Sequence, residues 1–145
     1  MELFRPRWYK DPSLWRNDPV PADFADSLLD VPPTMTDVLG VGGLVPMLVK
    51  RCSLEEATKI SGGWAGDRWA LWQLPGVGSA LVMESRWQDE ASAIRFREAI
   101  EDQSLWRLSP HVEGSRRVQM LRSESAALIE RLAPALGIEE TRLPD

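Results

Sequence analysis

The residues best suited to chemistry in this chain are one histidine and a few charged side chains near a glycine-rich run. The best enzyme arrangement would use Asp67 or Glu84 as a base beside His111, with Arg68 or Arg86 holding an anion. However, Asp67 directly follows a glycine, and the histidine directly follows a proline, so both positions are typical of turns and loops. We therefore predict no catalytic residue and no enzymatic activity.

Metal and cofactor sites also lack support in the sequence. His111 and Cys52 are the only residues of their types, and together they are too few for the three or four ligands of a zinc site. The acidic residues lack the spacing of a calcium loop, and the glycine runs lack the Lys-Ser or Lys-Thr pair of a phosphate loop. No serine lies in a Gly-x-Ser-x-Gly turn. We predict no metal and no cofactor.

One run of residues departs sharply in composition from the rest of the chain, with indole rings set among three glycines (Gly62-Gly63-Trp64-Ala65-Gly66-Asp67-Arg68-Trp69). Glycine allows tight turns and close approach of two segments, and the indoles provide large apolar anchors. One interpretation is a helix end followed by a turn into a strand. The other is a turn whose Asp67 and Arg68 face a ligand or a partner.

The first 35 residues are rich in both proline and aromatic side chains. Proline removes a backbone donor and disfavours helix at the preceding residue, so this region is predicted to be an extended arm. A disordered linker would be poor in aromatic residues, so the arm should lie on something. The rings could dock on the chain's own domain or on another protein, in which case the candidate partner-binding residues are Trp8, Tyr9, Trp15 and Phe24.

From Ser53 onwards the hydrophobic pattern predicts the order helix, strand, strand, helix, strand, helix. Ser53 and Glu56 form a capping box before a helix that ends near Gly62, and glycines after Pro75 indicate a hairpin. In its second strand, Glu84 and Arg86 are expected on the solvent side. The fold class is therefore α+β, with a small antiparallel sheet in a ferredoxin-like or related arrangement and helices on one face.

The predicted organisation is an arm over residues 1–35, one domain over 36–137 and a short tail over 138–145. Three strands make a narrow sheet, so a further strand from the arm or from a second copy could complete an edge. Cys52 alone cannot form an internal disulfide, and no segment has the length and apolar character to span a membrane. We expect a soluble protein, cytoplasmic by default.

Composition narrows the possible partners. A chain of 145 residues with a net charge of -5 is long enough for one domain and lacks the long-range attraction to phosphate that nucleic-acid binders need. We expect no nucleic acid and no membrane as partners, and instead a protein partner or a homo-oligomer.

Several of these residues together resemble a pattern in uncharacterised bacterial and archaeal proteins. The pattern has a Leu-Gly helix start, then Gly-Trp-Gly-Gly-Asp-Arg leading into a strand, a strand ending in Trp, and Ala and Phe on the next helix. Here these are Leu39-Gly40, Gly63-Trp64-Ala65-Gly66-Asp67-Arg68, Trp87, Ala91 and Phe96. In longer members this region resembles the non-catalytic C-terminal part of metallopeptidase-like proteins. The resemblance implies an accessory or recognition role, and the peptidase-like half with its His-Glu-x-x-His helix is absent here.

The leading hypothesis is a non-enzymatic protein interaction or accessory module of a larger assembly, since tryptophan is enriched at interfaces and the chain has seven. It would use the aromatic arm and the region from Trp64 to Trp72. One alternative is a small-molecule-binding or hydrolytic domain with an indole-lined pocket near Gly62–Asp67. A second alternative is a self-associating structural subunit.

Overall fold

A computed structural model of the chain describes residues 17–101 and 105–139. In this part the strands are β1 (Met35–Asp37), β2 (Trp64–Leu74), β3 (Gly78–Trp87), β4 (Arg107–Leu108) and β5 (Arg117–Ser123). The helices are α1 (Gly40–Val49), α2 (Leu54–Ser61), α3 (Glu90–Glu101) and α4 (Ala126–Ala135). The strands form one antiparallel sheet in the order β1-β2-β3-β5-β4. The predicted α+β class is confirmed.

The β2–β3 hairpin is the centre of the sheet. Its turn has positive φ angles at Gly76 (76°) and Gly78 (130°), which residues with a side chain rarely adopt. The backbone amide of Val77 donates to the carbonyl of Leu74 at 3.0 Å and closes the turn. The local sequence signal for this hairpin was therefore sufficient to place it.

The helix boundaries follow their capping residues. Ser53 accepts from the amide of Glu56 at 3.1 Å at the start of α2, and Asp89 accepts from the amide of Ser92 at 2.8 Å at the start of α3. At the start of α4, Ser125 is the cap and accepts from the amide of Leu128, whereas Ser123 ends β5. The hydroxyl of Ser123 instead donates to the carbonyl of Ser79 at 2.6 Å.

The sheet separates two apolar clusters, and we call its two sides the first face and the second face. On the first face, α1, α2 and α3 cover the sheet. The cluster there includes Leu44, Leu48, Ile60, Met83, Trp87, Phe96, Ile100, Val118 and Met120.

The second face is covered by α4 and by residues 17–34, which we call the N-terminal segment. Its buried strand residues include Ala70, Trp72, Ala80, Val82 and Leu121. Helices were predicted on one face only. The second face needs a cover as well, because the strand residues there are apolar along the half of the sheet nearest the hairpin turn.

The N-terminal segment packs on its own domain. Val20, Ala25 and Leu29 are buried, and residues 22–28 form successive turns rather than a strand. In these turns the amide of Phe24 bonds to the carbonyl of Pro21, that of Asp26 to Asp23 and that of Leu28 to Ala25. The boundary predicted between residues 35 and 36 falls inside β1.

Two short strands were not predicted. β1 lies beside β2, where the sequence left open a strand from the arm, and β4 lies beside β5, in the connection between α3 and β5. Strands of two or three residues leave almost no hydrophobic alternation to detect, because their formation depends on the neighbouring strand.

Candidate functional site

Asp67, the acidic residue of the glycine- and tryptophan-rich run, connects the sheet to helix α1. Its side chain is buried, with 2% of the residue exposed. The carboxylate accepts from the amide of Leu39 at 2.6 Å, the amide of Gly40 at 2.8 Å and the indole Nε1 of Trp64 at 2.8 Å. Helix α1 has no side-chain cap of its own at Leu39. Asp67, which lies on β2, takes that role by accepting from two amides at the start of the helix.

Two glycines of the same run lie where other segments approach the backbone. A Cβ on Gly66 would stand 2.3 Å from the carbonyl oxygen of Asp18, and one on Gly63 would stand 2.3 Å from Oγ of Ser92. The next residue of the run, Arg68, donates from Nε to the carbonyl of Val20 at 3.2 Å. The contacts of Gly63, Trp64, Gly66, Asp67 and Arg68 are thus with neighbouring parts of the same chain.

A polar network occupies the second face beyond its apolar half. Glu84 is buried, with 3% exposed, and its Oε1 accepts from Nε2 of Gln119 at 2.8 Å. Arg86 donates from Nε to Oε2 of Glu84 at 3.0 Å and from NH1 to Oδ1 of Asp18 at 3.0 Å. Burial would lower the pKa of Arg86, but its hydrogen bonds with Asp18 and Glu84 outweigh burial and raise it.

The prediction that Glu84 and Arg86 lie on the solvent side was wrong for the glutamate. The alternation of the strand was correct, and both residues do lie on the face opposite Met83. The N-terminal segment crosses that face near Gly66 and brings Asp18 to Arg86, so the face has a cover that the alternation alone could not indicate.

His111 lies beside a different carboxylate from the two considered in the sequence. Its Nε2 is 3.0 Å from Oε1 of Glu90, and the same oxygen accepts from the amide of Gly114 at 2.9 Å. The hydrogen bonds from Gly114 and from His111 lower the pKa of Glu90. Asp67 and Glu84 are instead engaged in the contacts described above, so the structure does not bring the suggested base and histidine together.

The aromatic candidates fall into two groups. Phe24 is half-buried against the cluster of the second face, whereas Trp8, Tyr9 and Trp15 lie outside the described residues. Trp72, which the interaction hypothesis included, is fully buried and donates from Nε1 to the carbonyl of Val31 at 3.1 Å. It therefore anchors the N-terminal segment to the sheet.

At the hairpin end of the sheet, the described helices leave part of the first face uncovered. Met35, Leu71 and Leu81 lie side by side across β1, β2 and β3, and we call these three residues the apolar strip. Met35 is 52% exposed, and Leu71 and Leu81 are half-buried. Their sequence neighbours Ala70, Trp72, Ala80 and Val82 point to the opposite face and are buried.

Arg122 continues the same row on β5, opposite Leu81, and is exposed. The strip borders an open cleft of about 480 Å³ whose lining includes Leu71, Ser79, Leu81, Arg122, Ser123 and Ser125. This surface differs from the predicted indole-lined pocket near Gly62–Asp67 in both position and composition. The sequence signal for it was the alternation of the second hairpin strand, which placed Leu81 on the core-facing side together with Met83.

Other chemistry receives little support in the described part of the chain. Residues 17–101 and 105–139 contain no group of three or more histidine, cysteine, aspartate or glutamate side chains placed to hold a metal. Cys52 is half-buried and donates to the carbonyl of Leu48 at 3.3 Å, and burial raises the pKa of its thiol. Within the same ranges, each helix is too short or too polar to cross a bilayer.

The chain belongs to the family described as "Domain of unknown function (DUF8575)", whose model matches residues 30–131. The match includes all five strands, and it begins after the buried residues Val20, Ala25 and Leu29. Neither a curated protein nor a solved structure matches the chain.

Proposed function

We propose that this chain is a non-enzymatic protein interaction module, acting as an accessory part of a larger assembly, and that it binds its partner on the apolar strip. The observation that carries the proposal is that Met35 is exposed and Leu71 and Leu81 are only half-buried at the end of a sheet face whose remainder is covered by helices. Contiguous apolar surface of this kind is typical of protein interaction sites.

The contacts of the charged side chains considered for catalysis also favour binding over catalysis. Asp67 uses its carboxylate to hold α1, and Glu84 is paired with Arg86 and Gln119. These side chains serve the fold, and the strip is a surface whose three neighbouring apolar side chains suit an intermolecular contact. The aromatic arm, with Trp8, Tyr9 and Trp15, is a second contact region in this proposal. We place the activity in the cytoplasm, where the thiol of Cys52 would stay reduced.

Site-specific photo-crosslinking tests the proposal. A benzophenone amino acid is introduced at Leu81, and at Arg95 on the exposed side of α3 as a matched control, and crosslinking is carried out in the cells that make the protein. We expect a discrete adduct from position 81 and none from position 95. An adduct of twice the chain mass would support the self-associating subunit instead, and equal labelling from both positions would contradict a contact at the strip.

The arm is tested separately. In the same crosslinking experiment, Trp8→Ala with Trp15→Ala should reduce the yield of the adduct at position 81 if the arm contacts the same partner. An unchanged yield would remove the arm from the proposal and leave the strip.

A further inference from the structure

We infer that the occupant of the apolar strip is an acidic peptide segment, in which apolar side chains cover Leu71 and Leu81 and a carboxylate pairs with Arg122. This inference rests on the proposed function and adds the chemical class of the partner. It follows from the position of Arg122 at the end of the strip and from its lack of an ion pair with the described residues.

Arg122 is exposed at the end of the strip and forms no ion pair with the described residues. By contrast, Arg86 pairs with Asp18 and Glu84, and Arg131 pairs with Asp30. A guanidinium binds a carboxylate through two parallel hydrogen bonds, so an unpaired one beside an apolar surface favours a partner with a carboxylate.

The dimensions of the row suit a short peptide. Met35, Leu71, Leu81 and Arg122 occupy four adjacent strands in register. With neighbouring strands about 4.8 Å apart, the row from Met35 to Arg122 is roughly 14 Å long. An extended peptide of about four or five residues covers that distance. One such segment can therefore place two apolar side chains and a carboxylate over the row.

The cleft beside the strip also carries a negative charge, which would repel an acidic peptide. Glu124 is exposed and lines the same cleft two residues after Arg122. It forms no ion pair with Arg122 or with any other described residue. Neutralising Glu124 should therefore strengthen binding of an acidic peptide, whereas neutralising Arg122 should weaken it. The two substitutions, on side chains that line the same cleft, should therefore change the affinity for an acidic peptide in opposite directions.

The experiment selects binders of the full chain from a phage-displayed library of random 12-residue peptides. The affinity of the selected peptides is then measured by fluorescence anisotropy against variants of the strip and its rim. We expect selected peptides that combine apolar residues with Asp or Glu. Arg122→Glu should weaken them about tenfold, and Glu124→Gln should strengthen them up to about threefold, with both effects reduced by salt. Arg95→Gln, on α3, is the control and should change little.

Leu81→Gln separates the inference from the proposed function, with Met35→Gln as a second variant in case the first does not fold. Loss of binding in these variants, together with an unchanged affinity in Arg122→Glu, would overturn the acidic partner and leave the strip as the binding surface. Binding that is insensitive to both strip variants, or a selection that yields no peptide, would count against the strip as well as the inference.

Discussion

At the scale of single residues, Asp67 is a candidate catalytic base in the sequence whose role in the structure is to hold the fold. It accepts from three donors on two other parts of the chain, the start of α1 and the ring of Trp64. A carboxylate in that position satisfies amides that the apolar sequence of α1 cannot satisfy by itself, because neither Leu39 nor Gly40 has a side chain that can accept a hydrogen bond. The site is therefore sensitive to the loss of one acceptor group.

We expect Asp67→Ala to lower the free energy of unfolding by about 3 kcal/mol, because it leaves buried donors without partners. Urea denaturation measures the change. Asp37→Asn is the control, since Val38 is the one described residue whose amide donates to the exposed Asp37, and an amide side chain can accept there as well. A loss below about 1 kcal/mol in Asp67→Ala would mean that water replaces the carboxylate.

Gly66 gives a second prediction at the residue scale, because its lack of a side chain permits the approach of Asp18. Gly66→Ala should cost roughly 1–3 kcal/mol, since the obstructing atoms belong to the backbone and the N-terminal segment would have to shift. Gly42→Ala, on α1 where a Cβ meets nothing within 4 Å, should instead be neutral or stabilising by up to about 1 kcal/mol. Equal effects of the two substitutions in urea denaturation would contradict a close approach at Gly66.

At the scale of elements, Glu90 joins the start of α3 to the loop before β5. Its carboxylate accepts from the amide of Gly114 and contacts the ring of His111, and these bonds hold the pKa of Glu90 below its ordinary value of 4.5. Hydrogen bonds that favour the charged carboxylate raise the free energy of unfolding at pH values above 4.5. Their contribution is lost as the pH falls from about 4.5 through the lower pKa of the folded state.

The expected result is a difference in stability between the unmodified protein and Glu90→Gln that is constant near neutral pH and shrinks below pH 4.5. Denaturation series from neutral to acidic pH provide the measurement. His111→Asn should reduce the pH dependence without abolishing it, because the amide of Gly114 is the larger cause of the shift. A difference that stays constant into acid would show that the bonds do not distinguish the two forms of the carboxyl.

Elements with local signals could be predicted from the sequence, and those that depend on distant partners could not. The glycines of the hairpin and the capping residues Ser53 and Asp89 determine structure within a few positions of themselves. β1 and β4 form only because β2 and β5 lie beside them. For the same reason the candidate site was missed, since only the placement of the helices decides that Leu81 stays open while Met83 is covered.

At the scale of the whole molecule, the N-terminal segment acts as one layer of the fold. It is held by polar contacts at both ends, from Arg86 to Asp18 and from Trp72 to Val31, and by the burial of Val20, Ala25 and Leu29 between them. Without it, the apolar half of the second face would rely on α4 alone. Sheets with two apolar faces need a cover on each.

Deletion of residues 1–33 should therefore abolish cooperative unfolding, whereas deletion of residues 1–16 should leave the described fold intact. Full burial of each aliphatic side chain contributes about 1.5–3 kcal/mol, so the loss of this layer approaches the 5–15 kcal/mol that stabilises a typical domain. Near-ultraviolet circular dichroism reports fixed aromatic packing, and the shorter deletion should retain that signal. The longer deletion should lose it while keeping helical content, because Trp72 would lose its cover while the other face keeps its three helices. A native-like signal and a sharp transition in the longer deletion would mean that α4 and the sheet suffice without the segment.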